Sequence, residues 1–504
     1  MKAFLMHRSR DFDLQKQRPS NAPALMQDLE LNTLFNAMAL GDKFLFEVAS
    51  AAMLTGLDND LDTIRYRQAI LKDCLENPMI VREMYAIAVE AIEGERKVYW
   101  GVFRKYPSAT LDRSVQVLQM FVGMLKRLKA IADEHAGQFE SDGLTTFFTM
   151  LKRELDEAYF AEVQDHLKAL KLQNGVLMSA RLGKGNTGSN YILHRSQSKK
   201  TNWREWLFSS NHSAFTFYIA DRDDSGFRAL SELKDRGINL VANALAQSTD
   251  HILSFFTMLR VELAFYMGCL NLHEQLALKG EPTCFPLPAA PGVHVLSAHG
   301  MYDVCLSLIL EQNCIGNDLR ADDKDLVIIT GANQGGKSTF LRSTGVSLMM
   351  MQCGMFVPAK AFSSSLCDGL FTHYRREEDI SMNSGKLDEE LSRMSDIVDC
   401  LTSDSIVLFN ESFAATNERE GSEIARQIIR ALLDKHIRVF FVTHLYEFAR
   451  GFYDGRLQNA VYLRAERRDD GERTFRIIED EPLQTSYGAD LYERIFETDG
   501  QNLQ

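Results

Sequence analysis

The sequence predicts an α/β protein in two parts: a mostly helical region over residues 1–279, and a domain over residues 280–504 in which strands alternate with helices. Three observations carry that expectation. The first half holds long segments whose apolar residues recur at helical spacing. Four prolines crowd into EPTCFPLPAAPG, Glu281 to Gly292, where a chain that must stop being helical would place them. Beyond them an apolar strand runs into a glycine-rich loop and then a helix, the local order of an α/β unit.

A chain of 504 residues exceeds one compact core, so two or more domains are expected, each with its own apolar interior. With 45% hydrophobic and 25% charged residues, extensive disorder is excluded. The net charge of -13 repels phosphates at long range, so any nucleic-acid binding must come from a local basic surface. The eight cysteines form no CxxC pair and no Cys/His cluster of the spacing zinc requires, and point to a reducing cytoplasm. The opening MKAFLMHRSRDF has too short an apolar stretch for a signal peptide, and no run of about 18 apolar residues lacks a charge, so no membrane span is expected.

From about Ala24 to Leu170 the chain reads as packed helices. Leu118, Phe121, Val122, Leu125 and Leu128 form one core-facing stripe among polar neighbours. Around 175–193 the pattern changes: GVLMSARLGKGNTGSNYIL places apolar and β-branched residues on both sides of a glycine turn, a small β-hairpin. Next, HRSQSKKTNWR gathers Arg195, Lys199, Lys200 and Arg204 around Trp203. This is either a solvated loop or a segment that tracks a DNA backbone and stacks an aromatic ring on a base. A second helical stretch runs from about Phe227 to Ala277.

The chemistry concentrates in DLVIITGANQGGKSTFLR. A strand from Leu326 to Ile329 enters Gly331-Ala-Asn-Gln-Gly-Gly-Lys-Ser338, a complete GxxxxGK[ST] loop, and a helix follows. Glycines let backbone N–H groups close around phosphate oxygens, and the helix N-terminus adds its positive dipole end. Gly331, Asn333, Gly335, Gly336, Lys337, Ser338 and Thr339 are therefore nucleotide-binding candidates; Lys337 would reach the β/γ-phosphates and the Ser338 hydroxyl would hold Mg²⁺. Some seventy residues on, a buried strand Ile406 to Phe409 ends in Asn410-Glu411, similar to the Asp-Glu pair of ABC-type ATPases. That similarity makes Glu411 the group that polarises the attacking water and Asn410 an amidated, weakened Mg²⁺ ligand. A third apolar strand, Val439 to Val442, ends at Thr443-His444, where such enzymes place a histidine that senses the γ-phosphate.

These residues together resemble the MutS family of DNA mismatch repair ATPases. GANQGGKSTFLR is close to that family's GPNMGGKST-type loop, and Met351 to Ala359, MQCGMFVPA, resembles its FVPA segment. Asn410 to Gly421, NESFAATNEREG, is similar to the DELGRGT stretch and retains Glu411, Thr416 and Gly421. VTHLYEFA looks like the family's ATH-containing switch, and Ile315-Gly-Asn317-Asp318 like the element that flanks the adenine, which makes Ile315 and Asn317 nucleotide contacts. The resemblance covers about Cys314 to Gly488, ending at a late Ser-Tyr-Gly. Upstream it rests on IRYRQAILKDCLENP, Ile64 to Pro78, which implies a core and lever region before Ala277. No equivalent of the family's N-terminal mismatch-reading domain or of a nuclease extension is expected.

The resemblance implies an ABC-type P-loop ATPase domain that uses ATP and Mg²⁺, a DNA partner bound with low sequence specificity, and a homodimer that forms with ATP. In such a dimer Ser384 and Gly385, remnants of the signature segment in SMNSGKLDEELSRM, would face the γ-phosphate of the partner's site, with Glu390 and Leu391 behind them. The Asn410 departure removes a negative charge from the metal's surroundings. A pair of unit charges about 4 Å apart is worth about 4 kcal/mol at an effective dielectric of about 20, so hydrolysis is expected to be slow. A nucleotide-gated switch acting on a protein partner, and an ATP-binding protein without turnover, are the alternative readings.

Overall fold

The computed structural model describes residues 1–98, 106–172, 175–186, 188–194, 218–376, 385–468 and 473–483. They form a mixed α/β protein whose two compact units interleave along the chain. The first comprises Met1–Ala3, Met79–Phe139 and Leu144–Arg260; the second comprises Phe4–Pro78, Glu140–Gly143 and Val261–Gln504.

The first unit is mainly helical. In chain order the helices of the N-terminal half are α1 (Ala22–Asp28), α2 (Leu31–Ala39), α3 (Lys43–Leu54) and α4 (Leu61–Glu76), which belong to the second unit, and α5 (Pro78–Lys97), α6 (Pro107–His135), α7 (Asp142–Glu154) and α8 (Glu157–Leu170), which belong almost entirely to the first. Helix α6 begins with proline at its first turn, where the missing N–H costs nothing. Its stripe Leu118, Phe121, Val122, Leu125 and Leu128 is buried, and the Phe121 ring lies 5.5 Å from that of Phe256. Strands β1 (Leu177–Leu182) and β2 (Gly188–His194) pair antiparallel. Helix α9 (Asp224–Leu278) runs 55 residues, giving its first part to the first unit and the rest, from Val261, to the second. By length and composition alone it could cross a membrane, but 67% of its apolar stretch is buried inside the protein.

The second unit carries two sheets. Strands β3 (Leu287–Ala289), β4 (Leu296–Met301), β5 (Asn317–Arg320) and β7 (Ala361–Ser365) form one, in the order β3-β7-β4-β5. The other has the order β12-β11-β6-β10-β9-β8 and is built from β6 (Leu326–Thr330), β8 (Gly369–Tyr374), β9 (Ser405–Asn410), β10 (Arg438–Val442), β11 (Ala460–Arg467) and β12 (Arg473–Glu479). Only β12 runs antiparallel to its neighbour. Every residue of β6 and β10 is buried, as a parallel strand covered on both faces requires. The short helix α10 (Val304–Ile309) precedes β5, and four longer ones follow: α11 (Lys337–Cys353), α12 (Lys386–Val398), α13 (Glu418–Leu433) and α14 (Tyr446–Asp454). One core cluster joins the sheet to α13 and α14; in it Phe409 and Phe441 stack at 5.0 Å and Phe441 meets Phe448 at 4.7 Å. Each such buried phenylalanine contributes roughly 1.5–3 kcal/mol.

The register levels the carboxyl ends of the parallel strands. Val442 is opposite Ile329 on one side and Asn410 on the other, and Asn410 is opposite Tyr374. Open parallel sheets bind ligands at that edge.

An N-terminal strap completes the second unit. Glu262 of α9, fully buried, accepts backbone N–H groups of Leu5, Met6 and Phe12, the last at 3.1 Å. Tyr266 of the same helix donates to the Leu5 carbonyl at 2.6 Å, and Arg67 of α4 donates to the carbonyls of Met6 and of Cys353, at the end of α11. Burial pushes the Glu262 carboxyl up to about 7, against the pull of those backbone donors.

Candidate functional site

The glycine-rich loop leaves β6 at Gly331, whose φ of 115° is left-handed, and enters α11 at Gly336, with φ of 91°. Space forces glycine as much as conformation does: a Cβ at Gly331 would sit 2.9 Å from the Ala465 nitrogen, and one at Gly335 2.7 Å from the Ala465 side chain. No side chain caps α11, so the first amides of that helix point into the loop with the positive end of its dipole. Asn333 is exposed at the loop tip. Gln334 holds a left-handed φ of 59° while its side-chain oxygen accepts from Arg473 of β12 at 2.6 Å.

Lys337 is only 4% exposed, and its ammonium donates to the carbonyls of Gly331 at 2.9 Å and Ala332 at 2.8 Å. Burial pushes it down to about 8; Arg473 adds to that, and Glu411 opposes it. A cation held by neutral carbonyls is poised for an anion, because phosphate oxygens offer it more than the carbonyls do.

Ser338 donates from its hydroxyl to the Asn410 side-chain oxygen at 2.9 Å, which brings the end of β9 against the start of α11. These two residues line a cavity of about 300 Å³ with Thr339, Arg342, Arg375 and Arg376. On the other flank of the loop a cavity of about 370 Å³ is lined by Ile315, Asn317, Gln334, Thr339, Phe340 and Phe475. Asn317 is fixed there by β12: it donates to the Phe475 carbonyl at 3.3 Å and accepts from the Ile477 N–H at 2.7 Å.

Glu411 follows β9 with a left-handed φ of 56°, and its N–H donates to the Val442 carbonyl at 2.9 Å. Its carboxylate meets His444 Nε2, just beyond β10, at 2.9 Å. That hydrogen bond, aided by the charges of Lys337 and Arg375 and opposed by burial, holds the carboxyl below its usual range. An ionised carboxylate oriented by an imidazole at the strand ends can polarise a water and take its proton. Phe413 is also left-handed, with φ of 62°; its ring is buried and stacks on His373 at 5.3 Å. Its N–H donates at 2.9 Å to Glu390 of α12, while His373 bridges Ser412 and the Glu390 carbonyl.

The structure thus brings Lys337, Ser338, Asn410, Glu411 and His444 to one sheet edge, with Ile315, Asn317 and Thr339 on the adjoining cavity. Gly385 is the N-cap of α12 and exposed. Ser384, the late Ser-Tyr-Gly and the basic residues Arg195, Lys199, Lys200 and Arg204 lie outside the described residues. Among the described residues no three His, Cys, Asp or Glu side chains gather to hold a metal. Sequence reasoning missed Arg375, Arg473, Phe475 and the buried His373; none of them falls in a motif.

The family model for the MutS2 N-terminal domain matches residues 59–279, and that for MutS domain V matches residues 327–496. The chain belongs to the MutS family. It is 28% identical over 265 residues to the DNA mismatch repair protein MutS of Leuconostoc citreum, an alignment covering 50% of this chain and 30% of that protein. To the DNA mismatch repair protein MutS of Clostridium botulinum it is 33% identical over 161 residues, 31% of this chain and 17% of that one. The matched region therefore spans under a third of the length of these relatives. MutS-family members are ATPases that use ATP and Mg²⁺, and the domain V match of this chain contains the loop, Asn410, Glu411 and His444.

Proposed function

We propose that this MutS-family chain is a DNA-binding ATPase of the ABC-type P-loop class, whose domain over residues 280–504 uses ATP to switch the spread of its helical region, residues 1–279, on DNA during mismatch repair or recombination. The observation that carries this reading is the alignment of Lys337, the Ser338–Asn410 pair and the Glu411–His444 pair at the level ends of β6, β9 and β10.

In this reading the α11 amides and Lys337 bind the β- and γ-phosphates, and the base enters the cavity beside Ile315 and Asn317. Ser338 and Asn410 supply two neutral oxygens 2.9 Å apart at the edge of an open cavity, a donor set that suits Mg²⁺ when phosphate oxygens and water complete it. Bound there, Mg²⁺ neutralises charge on the phosphates. Glu411 orients a water for attack on the γ-phosphorus and takes its proton as ADP leaves; His444 holds the carboxylate in place and registers whether the γ-phosphate is present. Asn410 lacks the charge of an aspartate, so turnover is slow. In a homodimer assembled with ATP, the segment through Ser384 and Gly385 would complete the partner's site, and Arg195, Lys199, Lys200 and Arg204 are the proposed phosphate contacts to DNA.

The test is Mg²⁺-dependent ATP hydrolysis by the full chain, with and without duplex DNA. Turnover that DNA alters, and that Glu411→Gln removes while ATP binding persists, is the expected result. ATP binding that Lys337→Ala abolishes, with no turnover in the unaltered chain, would favour the second reading that Asn410 motivates, a nucleotide-gated switch without hydrolysis.

A further inference from the structure

The cavity on the Asn410 side of the loop is lined by a cation, Arg375, to which the proposed chemistry gives no contact with the nucleotide and whose charge so far serves to help keep Glu411 ionised. Strands β8 and β9 run in register with Tyr374 opposite Asn410, and the N–H of the next residue, Arg375, donates to the Asn410 carbonyl at 3.0 Å. From the other side of Asn410, Ser338 donates to its amide oxygen at 2.9 Å. Ser338, Asn410 and Arg375 are therefore consecutive neighbours around one cavity of about 300 Å³ at the strand ends.

The other two arginines of that cavity are committed. Arg376 pairs with the buried Asp28 at 2.6 Å, and Arg342 pairs with Glu30 and with the buried Asp303. Arg375 is exposed; among the described residues no hydrogen bond or ion pair holds its guanidinium, and its charge acts on the carboxyls of Glu411 and Glu390 without a direct contact to either. The residue beside it is also informative. An aspartate at position 410 would draw the guanidinium onto itself, whereas the amide exerts no such pull and leaves it available to an incoming anion.

We propose that Arg375 is a phosphate-binding residue of this site, supplying on the Asn410 side the positive charge that a metal held by an amide rather than a carboxylate supplies less well. The ligand class is the terminal phosphate of a nucleoside triphosphate, so the inference rests on the ATP-binding reading above. One consequence separates it from that reading: ATP should bind appreciably without Mg²⁺, and the binding should depend on Arg375.

The experiment titrates the full chain with a fluorescent ATP analogue, in EDTA and in Mg²⁺, for the unaltered protein, Arg375→Gln, Arg375→Lys and Lys337→Ala, with a thermal melt of each variant to establish that it folds. Arg375→Gln is expected to weaken binding in EDTA at least about tenfold, the effect of losing one charge-assisted hydrogen bond. Arg375→Lys should recover part of that loss, and Mg²⁺ should narrow the gap. Asn410→Asp should abolish the advantage of Arg375 over Gln by pairing with the guanidinium, which a double-mutant cycle reads directly. Affinity in EDTA unchanged by Arg375→Gln, while Lys337→Ala abolishes it, would overturn the role of Arg375 and leave the ATP site standing. Equal affinity in the unaltered chain and Lys337→Ala would overturn the ATP reading itself, and this proposal with it.

Discussion

Lys337 is buried with two peptide carbonyls against its ammonium where a carboxylate would usually sit, and burial lowers its pKa to about 8. A bound phosphate favours the charged form, so above pH 8 binding must draw in a proton. ATP affinity should be level below about pH 7 and fall by up to about tenfold per unit above about pH 8; a fluorescence titration across that range checks it, and Lys337→Ala should abolish both affinity and slope. Two residues along from Glu411, Phe413 occupies a left-handed conformation that costs a side chain about 1–2 kcal/mol. Its ring, buried against His373 and Phe409, outweighs that cost. Phe413→Gly relieves the strain but forfeits about 3–5 kcal/mol of packing, so denaturant unfolding should show a net loss of about 1–4 kcal/mol. This pair of residues also marks the limit of sequence reading at the site. Lys337, Ser338, Glu411 and His444 stand out because the chemistry of phosphate and water demands their types at fixed places after apolar strands. Phe413 does not, because nothing in its neighbours reveals a left-handed backbone.

At the level of elements, β6, β9 and β10 were legible as unbroken apolar runs, as strands covered on both faces must be. Strand β8 was hidden, since GLFTHY contains Thr372 and His373; both are buried, and the His373 ring is satisfied by Ser412 and the Glu390 carbonyl, distant in sequence. The N-terminal strap was equally illegible. Its backbone donors are met by Glu262, some 250 residues away, and no periodicity announces such a partner. The strap should be sensitive to pH. The folded pKa of Glu262, about 7, lies above its ordinary value of 4.5, so the native state holds an extra proton between them and stability falls as pH rises through that window. Hydrogen exchange of residues 4–12 should quicken from pH 5 to pH 7 beyond the intrinsic rise, and Glu262→Gln should remove that excess.

For the molecule as a whole, the second unit is assembled from three stretches of chain, with most of the first unit inserted between them. The loop, Asn410, Glu411 and His444 all belong to the second. A ligand that binds only the folded second unit stabilises it by about 2.7 kcal/mol at a hundred times its Kd. Urea unfolding followed by hydrogen exchange should therefore show ATP protecting peptides of β6, β9 and β10 while those of α6 and α8 keep their midpoint; equal protection of both sets would contradict separate units. The chromophores are divided along the chain as well. Trp100, Trp203 and Trp206 are the three tryptophans of the chain, and in sequence all three precede residues 280–504, which carry the loop. Every indole of the chain is thus remote in sequence from the proposed ATP site, and a change in tryptophan emission on adding ATP would register a message received, without any dye or label.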